Sequence, residues 1–164
     1  MLSALAGVLV LAIISVTWAQ EDRVGFPKDY EKSFRLYHVT NNEERKTPRE
    51  ILINPTGSKV EPGKPFPYGT VIVMLGYRSK MKDGQPLKDE KGLYVKDQLT
   101  RIDVMRKEKG YGQVYGDKQS GEWEYNSYRP TGEVNAGDNS RCAACHQDAE
   151  GTDYVFSAEQ LGKK

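Results

Sequence analysis

The most apolar segments after the first twenty residues are short, and polar stretches containing glycine and proline separate them. The run Thr70–Tyr77, with the sequence TVIVMLGY, is apolar on both faces and rich in β-branched residues, which predicts a strand buried on both sides. In Leu99–Arg106 polar and apolar residues alternate, so Ile102 and Val104 lie on one face of a predicted strand. The opposite face of that strand carries Arg101, Asp103 and Met105. Strands are predicted over 50–54, 70–77, 99–106 and 122–128.

One helix is predicted ahead of these strands. In the segment KDYEKSFRLYHV, aromatic residues recur at helical spacing at Tyr30, Phe34 and Tyr37. Pro27 suits the first turn of such a helix. Residues 41–48 are polar and predict a loop. Residues 54–68 hold four prolines and two glycines, which predicts a structured loop or short helical turns.

These elements predict an α+β fold, a mostly antiparallel β-sheet with a few helices packed on it. The chain of 164 residues contains ten tyrosines and sixteen glycines, which suit strands and turns better than a helical bundle. Its length indicates one domain, which we assign to residues 20–164. The net charge is +1 and the two signs are interspersed, so nothing indicates a basic face for nucleic acid.

An uncharged segment precedes the domain. No residue from Leu2 to Ala19 is charged, and Thr17 and Ala19 are small residues at the minus-three and minus-one positions of a cleavage site. We therefore interpret residues 1–19 as a signal peptide, which predicts a periplasmic or otherwise exported protein. The apolar run is also long enough to span a bilayer, so an uncleaved anchor is the alternative, with membrane contact only in that case.

The chemistry of the chain concentrates near its C-terminus, in Cys142-Ala143-Ala144-Cys145-His146. Two thiols at this spacing can each add to a vinyl group on one edge of a haem, and the histidine that follows can bind the iron. One helical turn presents these groups on the same side. The motif predicts one covalently attached haem c, with Cys142 and Cys145 as attachment sites and His146 as the proximal iron ligand.

Three other interpretations of the two cysteines are weaker. A redox-active pair normally begins a helix in a βαβ unit, which the pattern does not show. A structural zinc site needs more ligands, and His38 is the only further histidine. A disulfide between Cys142 and Cys145 would leave His146 unexplained.

The late position of the motif narrows the class of cytochrome. Common small electron carriers have an early motif and a methionine ligand far downstream, whereas only eighteen residues follow His146 here and none is Met or His. The late-motif four-helix bundle is disfavoured by the strand periods. The order FPYGTVIV, VMRKE, GEWEYNSY and then C-x-x-C-H, over about residues 26–146, resembles the cytochrome P460 and cytochrome c-prime-beta family.

This resemblance implies a small, mostly antiparallel, often dimeric protein with a five-coordinate haem. Some members oxidise hydroxylamine, using a lysine cross-linked to the haem and a distal carboxylate, while others bind nitric oxide or related gases. The strand 70–78 has no lysine; Met74 stands where the cross-linking lysine is expected, and Lys64 and Lys80 flank the strand. The resemblance therefore gives weak support to hydroxylamine oxidation.

Several residues are candidates for the distal side of the haem. Met74 could be a sixth ligand that raises the potential, with core packing as the more usual role of such a methionine. Met105 and Met81 are weaker candidates, and for His38 we favour a structural role over ligation. Asp103 or Glu108 could accept a proton, although we favour solvated carboxylates. The aromatic residues expected to pack against the haem are Trp123, Tyr125 and Tyr128.

The functional hypothesis is a mono-haem cytochrome that transfers electrons to and from a redox partner protein, binds a diatomic gas such as nitric oxide, or does both. This hypothesis of a non-catalytic haem protein is more consistent with the sequence than the hypothesis of an enzyme. The alternative is a hydroxylamine oxidoreductase of the same family. A third hypothesis, a haem subunit docked on a larger membrane complex, depends on an uncleaved leader.

Overall fold

Antiparallel pairing organises the β-structure in residues 22–163, which the computed structural model describes. The strands are β1 (Arg35–Asn42), β2 (Thr47–Ile53), β3 (Val71–Ser79), β4 (Met81–Lys82), β5 (Gln85–Pro86), β6 (Lys96–Lys107) and β7 (Trp123–Tyr128). Five of them form a sheet in the order β1-β2-β3-β6-β7, and β4 and β5 form a small hairpin. The predicted fold class is confirmed. The leader assigned to residues 1–19 lies outside the described residues.

Helical structure is short in this part of the chain. The two α-helices are α1 (Tyr30–Ser33) and α2 (Ser140–His146), and the 3₁₀ segments are Gly57–Lys59, Gln113–Lys118, Gln147–Thr152 and Ala158–Gln160. The first 3₁₀ segment lies in the stretch 54–68, where short helical turns were predicted. Within residues 22–163, no helix has both the length and the apolar character needed to cross a bilayer.

One face of the sheet, which we call the N-terminal face, is covered by the chain that precedes β1. Val73 on β3, Ile102 on β6 and Tyr128 on β7 are at least 98% buried and form one apolar cluster with residues of the N-terminal segment. The ring of Phe26 packs edge-on against Tyr128, with 5.2 Å between ring centroids. This face holds the sheet together by apolar burial, to which each such side chain contributes about 1.5–3 kcal/mol.

The opposite face, which we call the C-terminal face, is covered by α2 and the 3₁₀ segments that follow it. Its cluster includes Ile72 and Met105 from the sheet together with Ala143 of α2, which is fully buried, and Val155. Alternation along the strands places Ile72 and Val73 on different faces. The predicted two-sided burial of β3 is therefore confirmed, and so is the predicted division of β6, with Ile102 and Val104 on one face and Met105 on the other.

The prediction of a helix through Tyr30, Phe34 and Tyr37 is wrong beyond Ser33. Helix α1 ends there, Phe34 has extended dihedral angles, and β1 begins at Arg35. Phe34 packs with the cluster on the N-terminal face and Tyr37 with the cluster on the C-terminal face, because they are an odd number of residues apart in extended chain. A bulge then interrupts the alternation of β1 between Leu36 and His38. The three-residue spacing of these aromatics thus reflects opposite sides of an extended segment, not one side of a helix.

Candidate functional site

Helix α2 presents the cysteine motif beside the C-terminal face. Ala143 anchors the helix in the apolar cluster, and the amide of Gln147 ties its C-terminal end by donating hydrogen bonds to the carbonyls of Asp117 (2.9 Å) and Gln119 (3.1 Å). Cys142 is half-buried and Cys145 is exposed, and the two thiols are not joined in a disulfide. The helix therefore presents two unlinked thiols three residues apart, on the same side of one turn.

The imidazole of His146 is held by its Nδ1 atom. This atom lies 2.6 Å from the backbone carbonyl oxygen of Tyr154, and because a carbonyl only accepts hydrogen bonds, Nδ1 is the protonated nitrogen. The ring packs between Tyr125, at 4.8 Å between centroids, and Phe156, at 5.2 Å. Burial lowers the pKa of His146 and outweighs the hydrogen bond to Tyr154, which favours the neutral ring. The lone pair of Nε2 is thus available to a metal.

A cross-strand row on the C-terminal face contains several of the predicted distal residues. The register pairs Ile51 of β2 with Met74 of β3, Met74 with Asp103 of β6, and His38 of β1 with Ile51. We call these four residues the Met74 row. It brings together on one face His38, Met74 and Asp103, which are well separated in sequence, so all three remain candidates for the distal side.

Asp103 differs from the solvated carboxylate that we favoured. Its side chain is 22% exposed, Arg101 Nε lies 2.7 Å from Oδ2, and this oxygen nevertheless has no partner with hydrogen-bond geometry among the described residues. Burial raises the pKa of Asp103, against the opposing effect of Arg101. Burial also raises the pKa of the Cys142 thiol, and the charge of Asp103 adds to this increase.

Two arginines lie beside the Met74 row. Arg49 on β2 and Arg101 on β6 both pair with Gly76 of β3, so the residue between them has no side chain. Burial lowers the pKa of the Arg49 guanidinium and the charge of Arg101 lowers it further, whereas Asp103 and Cys145 have the opposite effect. The two guanidinium groups therefore give this corner of the face a positive charge.

The other predicted site residues differ in how far they are buried. Met105 is buried in the cluster under α2, whereas Met81 is 57% exposed on β4. Lys64 and Lys80 are exposed on either side of β3, and Glu108 is half-buried just after β6.

The three aromatic residues expected to pack against the haem lie on different faces of the sheet. Trp123 and Tyr125 lie in the same cluster as Ala143 of α2. Tyr128 lies in the cluster on the N-terminal face, because it is an odd number of residues from Tyr125 along the strand.

A cavity of 540 Å³ opens beside the edge strand β7, and it is lined by residues such as Tyr115, Asn126 and Asn139. Neither cysteine nor His146 lines it. The candidate site is therefore defined by its donor groups on α2 and on the C-terminal face, not by this cavity. Among residues 22–163, no three His, Cys, Asp or Glu side chains are placed to hold a metal ion by themselves.

The donor groups fit a haem attached through two thioethers. Cys142 and Cys145 are free thiols separated by one turn, and His146 follows with Nδ1 held and Nε2 available. The adjoining face offers apolar contacts at Ile51 and Met74, beside the positive charge described above.

Comparison with known families agrees with this chemistry. A family model described as Cytochrome P460 matches residues 27–157. The chain belongs to the cytochrome P460 family. Membership implies a c-type haem protein, and the match extends over all seven strands and helix α2. No curated protein matches the sequence.

One structural element of this cytochrome P460 domain was not predicted from the sequence. The carbonyl that holds His146 belongs to Tyr154, in a turn where Asp153 (φ 53°) and Tyr154 (φ 64°) both adopt left-handed backbone conformations. Non-glycine residues rarely adopt this conformation, and no motif announces it in the sequence.

Proposed function

We propose that the protein is an exported mono-haem c-type cytochrome that transfers electrons, binds nitric oxide or a similar diatomic gas, or does both. The observation that carries this proposal is the imidazole of His146, whose Nδ1 is held at 2.6 Å by the Tyr154 carbonyl while Nε2 stays available, one residue after two free thiols. When bound, the haem supplies an iron that exchanges single electrons with a redox partner or binds a diatomic gas.

The chain's contribution to haem attachment is its two thiols. Each of Cys142 and Cys145 would add across one vinyl group: the sulfur would bond to one carbon and the thiol hydrogen would go to the neighbouring carbon, so no oxidant is needed. Arg49 and Arg101 are well suited to the negative charge of the carboxylates that a haem carries, because guanidinium groups bind carboxylates with two hydrogen bonds. A haem attached to α2 on this side of the sheet would contact the Met74 row.

The chain's own residues favour gas binding or electron transfer over turnover of hydroxylamine. Met74, not a lysine, occupies the middle of the row, and Lys64 and Lys80 are exposed outside β3. The buried Lys107 lies on the same face, but its ammonium group lies 2.7 Å from the carboxylate of Asp153. Asp103 is the feature that supports the alternative enzyme, because a carboxyl group with a raised pKa can exchange protons with a substrate.

The test is to produce the protein in a host that matures c-type cytochromes and to measure its intact mass and absorption spectrum. We expect a mass greater than that of the polypeptide by one haem, and a ferrous spectrum that changes when nitric oxide is added. The double variant C142A/C145A should have the mass of the bare polypeptide. The control S58A, in the 3₁₀ segment Gly57–Lys59 ahead of β3, should keep the haem.

Two results would count against the proposal. A wild-type protein with only the polypeptide mass would exclude haem attachment. Turnover of hydroxylamine with an artificial electron acceptor, abolished in D103N, would instead support the enzyme.

A further inference from the structure

The turn that holds His146 is itself fixed by a buried polar network. The side chain of Asp153 accepts a hydrogen bond from the Phe66 backbone N–H (2.7 Å) and one from Lys107 Nζ (2.7 Å), while the indole N–H of Trp123 donates to the Asp153 carbonyl (2.9 Å). We call these contacts the Asp153 network. They link the ends of β6 and β7 to the residue immediately before Tyr154.

The network is almost entirely shielded from water. Trp123 is fully buried, and the side chains of Lys107 and Asp153 are 9% and 15% exposed. A buried ion pair is strongly sensitive to the loss of either partner, because the remaining charge is left without compensation. The ammonium group also lies 5.8 Å from the centre of the Trp123 ring, which couples the two donors to one another.

Backbone hydrogen bonds also restrain the Tyr154 carbonyl, which accepts the hydrogen bond from His146. The N–H of Tyr154 donates to the Ala149 carbonyl (2.8 Å), and the N–H of Val155 donates to the Thr152 carbonyl (3.2 Å). The peptide groups on both sides of Tyr154 are therefore fixed. Since Asp153 and Tyr154 hold unfavourable left-handed conformations, contacts from outside the turn are needed to maintain them.

We propose that Lys107 and Trp123 are positioning residues that set the strength of the hydrogen bond between His146 Nδ1 and the Tyr154 carbonyl, and thereby tune the iron. This inference rests on the proposed haem attachment. A hydrogen bond at Nδ1 makes the imidazole a stronger donor to a metal, and a stronger donor favours the ferric state. The Asp153 network thus controls the reduction potential from a distance, without touching the ligand.

The experiment compares W123F and K107M in the haem-loaded protein. W123F keeps an aromatic ring and removes the N–H donor, and K107M keeps the length of the side chain and removes the charge. The matched control is Y128F, which also removes a buried hydrogen bond from β7, but on the N-terminal face, where the hydroxyl group donates to Asp22 (2.8 Å).

Two measurements report on the proximal hydrogen bond: the iron–imidazole stretching frequency of the ferrous protein and the one-electron reduction potential. We expect both test variants to lower the frequency and raise the potential. A tenfold loss in the relative stability of the ferric form corresponds to about 59 mV. Y128F should become less stable while its frequency and potential stay at the wild-type values.

The outcomes separate this inference from the proposed function. If haem is attached but W123F keeps the wild-type frequency and potential, the positioning role is refuted and the cytochrome assignment stands. W123F decides the question even if K107M does not fold. A purified wild-type protein with the bare polypeptide mass would overturn both.

Discussion

Substituting Gly121 by alanine should disturb the turn that holds the proximal histidine. A Cβ atom at Gly121 would lie 2.6 Å from Cε2 and 2.9 Å from Cδ2 of the Tyr154 ring, closer than real Cβ contacts. Gly121 also has φ +57°, a left-handed conformation that alanine adopts at a cost of about 1–2 kcal/mol. The close contact adds about 1–3 kcal/mol, the usual range for overpacking.

The lower part of that range is expected, because a tyrosine ring can rotate away from the new methyl group. The total for G121A is then about 2–4 kcal/mol, of which only the steric part depends on Tyr154. The matched control is G63A, where φ is +73° and, chain neighbours apart, no atom of the described residues lies within 4 Å of the place that the new methyl group would take. This control carries the backbone cost alone.

The assay is urea unfolding of the haem-loaded variants, with the iron–imidazole frequency measured in parallel. We expect G121A to lose about 1–2 kcal/mol more than G63A. We also expect it to change the frequency, because the strain that ring rotation does not relieve shifts the backbone of Tyr154. Equal losses in the two variants, with an unchanged frequency in G121A, would refute the contact between Gly121 and Tyr154 as a constraint on the turn.

Three further predictions concern the rest of the domain. G57A should cost about 1–3 kcal/mol in urea unfolding, because the new methyl group would lie 2.7 Å from the side chain of the fully buried Ile53; a neutral result would contradict the packing of this turn. Burial alone would raise the pKa of Asp22, but hydrogen bonds, including one from Tyr128, lower it below the usual 3.8, so this stabilisation is present above pH 4 and is lost as the pH falls below that value. Urea midpoints at pH 7 and pH 3 should therefore differ more for the wild type than for D22N. M74L should cost less than about 1.5 kcal/mol and leave the visible spectrum unchanged if Met74 packs against the haem; a changed spectrum would identify the thioether as an iron ligand.

The sequence predicted well those features that depend on local pattern. The C-x-x-C-H spacing predicted that one helical turn presents Cys142, Cys145 and His146, and α2 contains all three. The two-residue alternation of β6 assigned Ile102 and Asp103 to the correct opposite faces. Both inferences need only the geometry of one helix or one strand. Neither requires knowledge of what packs against that element.

Features that depend on contacts between distant segments were missed. The three-residue spacing of Phe34 and Tyr37 disguised β1, because the two faces that these rings contact exist only when β1 pairs with β2. The solvated role favoured for Asp103 assumed that its basic sequence neighbours surround it. Arg106 instead lies on the opposite face, and the charge of Lys107 is taken by Asp153.

The two faces of the sheet have different roles: one mainly stabilises the fold, and the other carries the candidate site. The difference follows from what covers each face. The N-terminal face is closed by apolar side chains such as Val73 and Ile102, so changes there alter the free energy of unfolding through lost burial. On the C-terminal face the cluster under α2 continues into the half-buried ion pair of Arg101 and Asp103, and removing charges from water costs stability. Folding alone does not readily explain a carboxyl group of raised pKa at this position, whose Oδ2 lies 2.7 Å from Arg101 Nε without hydrogen-bond geometry. The carboxyl group is explained if this face binds a group that forms a hydrogen bond with its oxygen. The proposed haem and its ligands would lie at this face.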